Sequence, residues 1–271
     1  MSARAGAAAM AVVSLVACGS EAAPPAATVP LPKVLRIVFP EGFTRAQMIE
    51  RVAAVREIAR VKRHVAMRMT APAYAGATAA SPIPVQFRRD AHEQIEGFLF
   101  PATYAFFSNE AASRFVRRQL SAFRKAWRRV DMRYARSKNL TPYDVLIIAS
   151  MIEREVVVPH ERRLVAAVIY NRLRAGMPLG IDATLRYGLG IPPTESITKD
   201  DLASPSPYNT RIRTGLPPTP IANPGLASMQ AAAYPAKVDY LYFVRKPDCR
   251  SHFFTASAAE FEAYTRQGLQ C

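Results

Sequence analysis

Acidic residues are in short supply in this sequence. The 271-residue chain holds 21 Asp and Glu against 36 Lys and Arg, a formal net charge of +15. A deficit of that size steers a protein toward polyanions: nucleic acid, anionic lipid headgroups or cell-wall polymers. Cysteine is scarcer still, with three residues at 18, 249 and 271, and no spacing among them suggests zinc. There are no internal repeats. Long apolar runs are also lacking: the stretch Ala5–Ala17 is too short to span a bilayer, which takes about 20 helical residues. Apolar residues in total are not scarce. They make up 50% of the chain, enough at this length for a real core in one large domain or two small ones.

The N-terminus speaks to compartment. Arg4 precedes an apolar, small-residue stretch of the length of a signal-peptide core. It ends in Leu15-Val16-Ala17-Cys18, which resembles a bacterial lipobox, whose cysteine is lipidated after cleavage just before it. Residues 1–17 thus read as a signal peptide, with Cys18 as the lipidation site. Residues 18–33 read as an Ala/Pro tether with no periodicity. The expectation is an exported chain, anchored in the membrane by its N-terminal lipid. Nucleic-acid binding needs a cytoplasmic protein and a reading motif, and neither is present. With Cys18 lipidated, Cys249 and Cys271 are left either as a disulfide or as two thiols.

Residues 34–39 read as a strand, and Thr44 with Gln47 forms a capping box ahead of Met48, Val52 and Val55 at helical spacing. That βα unit covers residues 34–64. The stretch APAYAGATAASPIP reads as a loop, with Pro72, Pro82 and Pro84 as breakers. Glu110–Val130 is an amphipathic helix with Phe115, Leu120, Phe123 and Trp127 near one face. Its arginines form either a solvated face or a contact for anionic lipid or wall polymer. Thr141, Pro142 and Asp144 open a helix whose body, Val145–Ile152, is apolar on every side and therefore buried. A further helix spans Glu161–Gly176. Gly- and Pro-rich loops run from there to about Pro224, and a short helix covers Leu226–Tyr234. The strand Val238–Lys246 has His252–Ala256 as its hairpin partner, and Ser257 with Glu260 caps a last helix.

A carboxylate at the polar end of an all-apolar helix is a candidate general acid, because desolvation keeps it protonated near neutral pH. Glu155 shares a helix face with Ile148, Met151 and Ile152. Glu153 lies about 200° away around the axis, so the two do not make an obvious carboxylate pair. Spacing alone equally allows both to end the helix in ion pairs with Arg154, Arg162 or Arg163.

The run ASMIEREVVVPHERRLVAAVIYNRLRAGMPLGIDATLRYGLG (Ala149–Gly190) resembles the core signature of the endolytic murein transglycosylase, or YceG-like, family. The resemblance extends upstream to EGFLFPATYAF (Glu96–Phe106) and downstream through Ser206–Lys246 to His252–Thr255, covering roughly Val34 to Arg266. It implies that Glu155, the second glutamate of the A-S-x-x-E-x-E run, is catalytic, and that Glu153 helps or positions. It implies non-hydrolytic cleavage of the β-1,4 bond between N-acetylmuramic acid and N-acetylglucosamine, with the C6 hydroxyl closing a 1,6-anhydro ring. One carboxylate then suffices, where ordinary glycosidases use two, and neither a metal nor an organic cofactor is needed. Asn171, Asp182, Thr184, Tyr208 and Asn209 fall on family positions suited to sugar hydroxyls and N-acetyl groups; Asn171 could equally make a helix-packing hydrogen bond, Tyr208 and Asn209 could equally form a turn, and His252 is either a substrate contact or a structural histidine. The implied partners are peptidoglycan glycan strands and the peptidoglycan synthases at the membrane.

The chain also departs from the family pattern. Gly180 and Ala183 stand where glutamine and proline are usual. The βα unit stands where relatives carry a longer LysM-like region. The expected fold is α+β: a helical catalytic domain over residues 90–271 with a small antiparallel sheet, plus the βα unit as a short LysM-like appendage. Two other readings compete. A muramidase-like hydrolase would need Glu161 or Asp182 as a second carboxylate, and a non-catalytic glycan-binding lipoprotein would release no fragments.

Overall fold

Thr44 caps the first helix of the protein as its sequence predicts, its hydroxyl accepting from Gln47 while the Gln47 side chain returns to the Thr44 N–H. The computed structural model describes residues 1–2, 31–91 and 95–268. The chain divides into two units, Met1–Leu31 and Pro32–Cys271, and every element below belongs to the second. Most of the signal peptide, Cys18, most of the tether and Cys271 lie outside the described residues.

Strand β1 (Val34–Val38) turns Leu35 and Ile37 inward, and helix α1 (Arg45–Arg63) buries Met48, Val52 and Ala59. The segment expected to be a loop next forms helix α2 (Ala71–Ala79). Thr70 accepts from the Ala73 N–H, and Pro72 sits in the first turn, where a missing N–H costs nothing. Only Pro82 and Pro84 act as breakers. A strand that sequence reading did not anticipate, β2 (Thr103–Phe107), pairs antiparallel with β1, placing Tyr104 opposite Ile37 and Phe106 opposite Leu35. The βα unit is therefore bound into the rest by a shared sheet and core rather than standing as an appendage.

Helix α3 (Ala112–Trp127) buries Phe115, Leu120, Phe123 and Trp127 on one face. Phe87 meets Phe98 and Trp127 edge-on, with ring centroids 5.0 and 4.9 Å apart, a favoured aromatic arrangement. A short helix, α4 (Arg133–Ser137), leads to α5 (Pro142–Glu155), opened by a Thr141–Asp144 capping box. Every residue of α5 from Val145 to Ile152 is buried, so this helix is the axis of the core. Helix α6 (Arg162–Arg174) packs beside it.

The Gly- and Pro-rich stretch beyond Gly176 is not all loop. It contains α7 (Asp182–Leu189), stopped by Gly190 at φ 69°, and α8 (Lys199–Ala203), opened by a Thr198–Asp201 capping box. Helix α9 (Leu226–Ala233) packs on α5 and α6. Strands β3 (Tyr242–Arg245) and β4 (His252–Thr255) form the expected antiparallel hairpin, and α10 (Ala258–Arg266) starts at Ser257, whose hydroxyl accepts from Glu260. The architecture is α+β, mostly helical, with two small antiparallel sheets among the described residues. Two contacts lock the loop before α9 in place, one onto α5 and one onto the segment before β2. The Ile221 N–H donates to Ser150 Oγ at 2.9 Å. Gly97, at φ 89°, lies so close to Pro220 that a Cβ would come within 2.7 Å of the proline ring.

Candidate active site

Glu155 is the last residue of α5. The C-terminal end of a helix carries partial negative charge, a poor place for a carboxylate. Burial adds to this and pushes the Glu155 carboxyl above the ordinary range. Arg245 and His252 pull it back toward the ionised form, the charge of Asp182 raises it, and a backbone hydrogen bond from Ala183 lowers it. Four elements thus converge on one carboxyl: the end of α5, the first turn of α7, and both strands of the β3–β4 hairpin.

The hairpin is held in place by a second carboxylate. Glu161 Oε1 accepts the His252 backbone N–H at 3.0 Å, and Oε2 lies 2.7 Å from His252 Nδ1. Both side chains are almost wholly buried. Register places Arg245 directly opposite His252, and Arg245 Nη2 reaches the Glu155 carbonyl at 3.5 Å. Asp182 opens α7 and accepts from Arg211 Nε at 2.6 Å.

The residues expected to touch sugar divide into two groups. Asp182 and His252 lie at Glu155. The others are spent elsewhere. Glu153 points away, as helix geometry requires. It is a buried brace that accepts the Gly225 N–H at the start of α9 at 2.8 Å, with Arg162 at 3.9 Å. Asn171 gives both amide protons to the carbonyls of Val238 and Tyr240, each at 2.9 Å, fastening the approach to β3 onto α6. Thr184 is fully buried against Thr210 and the Ile181 carbonyl. Asn209 ties the Leu202 and Ser204 carbonyls into a turn. Tyr208 is half-buried, and its hydroxyl pairs with Thr219 at 2.7 Å. Glu153, Asn171, Thr184 and Asn209 therefore build the walls of the site rather than reach into it. Arg245 and Arg211 went unnoticed in the sequence. Hairpin register with His252 was the available signal for Arg245, whereas nothing local pointed to Arg211.

Neither carboxylate suggested for a hydrolytic pair is unoccupied: Glu161 is bound twice by His252, and Asp182 is bound by Arg211. Among the described residues no group of His, Cys, Asp and Glu is arranged to hold a metal ion. Cys249 is disulfide-bonded.

Glu96 is a further perturbed carboxyl, almost fully buried. Burial raises it to about 7 against hydrogen bonds from the backbone of Arg45 and from Tyr187 and Asn223. It lines a cavity of about 640 Å3. Glu155 does not line this cavity, but Ala183 does, so the two sites adjoin. Because folding raises this group above its ordinary value, its contribution to stability is full in acid. That contribution is lost as pH rises through about 7, by about 3 kcal/mol in total. Thermal unfolding of the wild type should therefore weaken more between pH 5 and 8 than that of Glu96→Gln. Parallel curves would contradict the assignment.

A half-buried carboxyl at a helix end, walled by a hairpin and a short helix, is the candidate centre of a mostly helical α+β protein. The chain belongs to the YceG-like family, whose model matches residues 15–267. It is 36% identical over 160 residues to the endolytic murein transglycosylase of Bacillus subtilis (strain 168), covering 59% of this chain and 44% of that protein. It is 30% identical over 230 residues to the endolytic murein transglycosylase of Streptococcus pneumoniae (strain ATCC BAA-255 / R6), covering 79% of this chain and 41% of that protein. The chain thus spans less than half the length of these relatives. Its fold is similar to the crystal structure of a yceG-like protein from Listeria monocytogenes, with a TM-score of 0.67 and 31% identity, covering 84% of this chain and 75% of that one.

The departure at Ala183 now has a physical meaning. Proline has no N–H to give, so the backbone hydrogen bond to Glu155 exists because alanine stands at this position. Ala183→Pro, in the first turn of α7 where proline is tolerated, removes a donor that favours the ionised form. The alkaline limb of the rate profile should move to higher pH in this variant, and an unmoved limb would show that the bond does not tune Glu155.

Proposed function

We propose that this protein is an endolytic peptidoglycan lytic transglycosylase. It cleaves the β-1,4 bond between N-acetylmuramic acid and N-acetylglucosamine in nascent strands and leaves 1,6-anhydro-muramic ends. The observation that carries this reading is Glu155, a carboxyl whose burial favours the protonated form, with both neighbouring carboxylates already engaged. Similarity to proteins named endolytic murein transglycosylase supports it.

In this mechanism Glu155 gives its proton to the glycosidic oxygen as the bond from C1 to that oxygen breaks. The resulting carboxylate is stabilised by Arg245 and by the Ala183 N–H. It then takes the proton of the muramic C6 hydroxyl as O6 bonds to C1. Glu155 ends protonated, no water is consumed, and no second carboxylate is required, unlike in hydrolytic pairs. The proposal extends to compartment: export through residues 1–17 and a lipid on Cys18 would hold the enzyme at the membrane, beside the synthases that supply its substrate. Support for that part is the lipobox-like sequence alone.

Uncrosslinked nascent peptidoglycan incubated with the protein lacking its lipid anchor, with products analysed by mass spectrometry, tests the reaction. Anhydro ends are expected. Reducing ends would favour a muramidase-like hydrolase, and no fragments at all would leave a glycan-binding lipoprotein.

A further inference from the structure

The cavity beside Glu155 has walls from the first turn of α1, the end of α2, and α7 with the loop after it. Three arginines line it: Arg45, Arg154 and Arg186. Each is held by uncharged oxygens. Arg45 donates to Thr78 Oγ1 at 2.7 Å and the Ala75 carbonyl at 2.8 Å. Arg154 donates to the Gly42 carbonyl at 3.3 Å, and Arg186 to the carbonyls of Pro192 and Glu195 at 2.9 and 2.8 Å. Carbonyls fix a guanidinium in place without cancelling its charge, and none of the three is in an ion pair among the described residues. Two carboxyls, Glu50 and Glu96, also line the cavity, so the three guanidiniums outnumber them; the Glu96 oxygens are turned to the Arg45 backbone N–H, Asn223 and Tyr187 rather than to a guanidinium.

The volume, about 640 Å3, lies within the usual range for small-ligand sites. Pre-placed guanidiniums with spare charge are built to take planar carboxylates in forked hydrogen bonds. Ala183 is common to this cavity and to Glu155, so a sugar at the acid would lie next to the cavity.

We infer that this cavity is a subsite for the carboxylate-bearing peptide stem of an uncrosslinked glycan strand. The inference rests on peptidoglycan being the substrate. It makes the enzyme selective for strands whose stems are still free and anionic, since a stem joined to its neighbour is larger and has lost charge.

The test uses the Glu155→Gln protein for binding and the wild type for cleavage. Calorimetry would compare an N-acetylmuramyl peptide with free carboxylates against the same peptide with its carboxylates amidated. The acid is expected to bind at least about tenfold tighter, a preference lost when Arg154→Gln and Arg186→Gln are combined. In cleavage, the wild type should show a KM about tenfold lower on stem-bearing strands than on strands stripped of stems. The double variant should equalise the two by losing affinity for stem-bearing strands only. Equal affinity for acid and amide overturns the inference. So does a double variant that weakens stripped strands as much, which signals a general disturbance of the fold, or inorganic diphosphate that binds through these arginines while the muramyl peptide does not. Binding selectivity without any cleavage would sink the proposed reaction and keep the subsite. Cleavage without selectivity would do the reverse.

Discussion

Replacing Glu155 by glutamine should lower strand cleavage by about 10^2- to 10^4-fold, the usual contribution of a positioned general acid, without lowering the melting temperature. The two halves of this expectation share one cause. Burial at the end of α5 makes an ionised carboxylate unfavourable, so a neutral amide of the same shape relieves the fold while removing the proton that the reaction needs. The stability gain should be largest at alkaline pH. There the wild-type carboxyl, raised above its ordinary value by burial, is forced to ionise in the folded state. A purely structural Glu155 would show the opposite pairing, with stability lost and turnover kept. Retained turnover in the glutamine variant would move the search to Glu96, another carboxyl raised by burial, which lines the adjoining cavity.

How much of this could be read in the sequence depended on whether the cause was local. The buried axis, Val145–Ile152, was legible because apolarity on every face has one structural meaning. The capping boxes at Thr44 and Thr141 were legible because four consecutive residues contain the whole device. Glu153 could be set apart from Glu155 by helix angle alone. Helix α7 and strand β2 were missed for opposite reasons. In α7 an internal glycine and the Gly190 stop look like loop residues, although Gly190 is a C-cap. In β2 the buried alternation of Tyr104 and Phe106 was obscured by Pro101 just before it. The site itself is the least legible part, because its geometry is set by residues distant in sequence. Glu161 and His252 are 91 residues apart, as are Glu96 and Tyr187. Family resemblance points to positions. It does not say that Asn171 and Asn209 spend their amides on backbone carbonyls.

Removing Glu161 tests whether that distant pairing is what holds the site together. Glu161→Ala strips the acceptor from both the His252 backbone N–H and Nδ1, in a place that water does not reach. Breaking a buried polar pair from one side costs about 3–5 kcal/mol, or roughly 10 °C of melting temperature for a protein of this size. The loss should also reach the reaction, because the hairpin that carries His252 also carries Arg245 to the Glu155 carbonyl. Glu161→Gln separates the two roles. A glutamine can still accept one of the two donors, so most of the stability should return. Its amide nitrogen, however, faces Nδ1 as a donor and turns that nitrogen into an acceptor, which moves the ring proton of a neutral His252 to Nε2. Nitrogen NMR of the imidazole should report this exchange of tautomers, with turnover still below that of the wild type. A glutamine variant with wild-type turnover and an exchanged tautomer would make Glu161 a structural clamp only. An alanine variant that melts with the wild type would remove even that role, and the hairpin would have to be held against Glu155 by its packing alone.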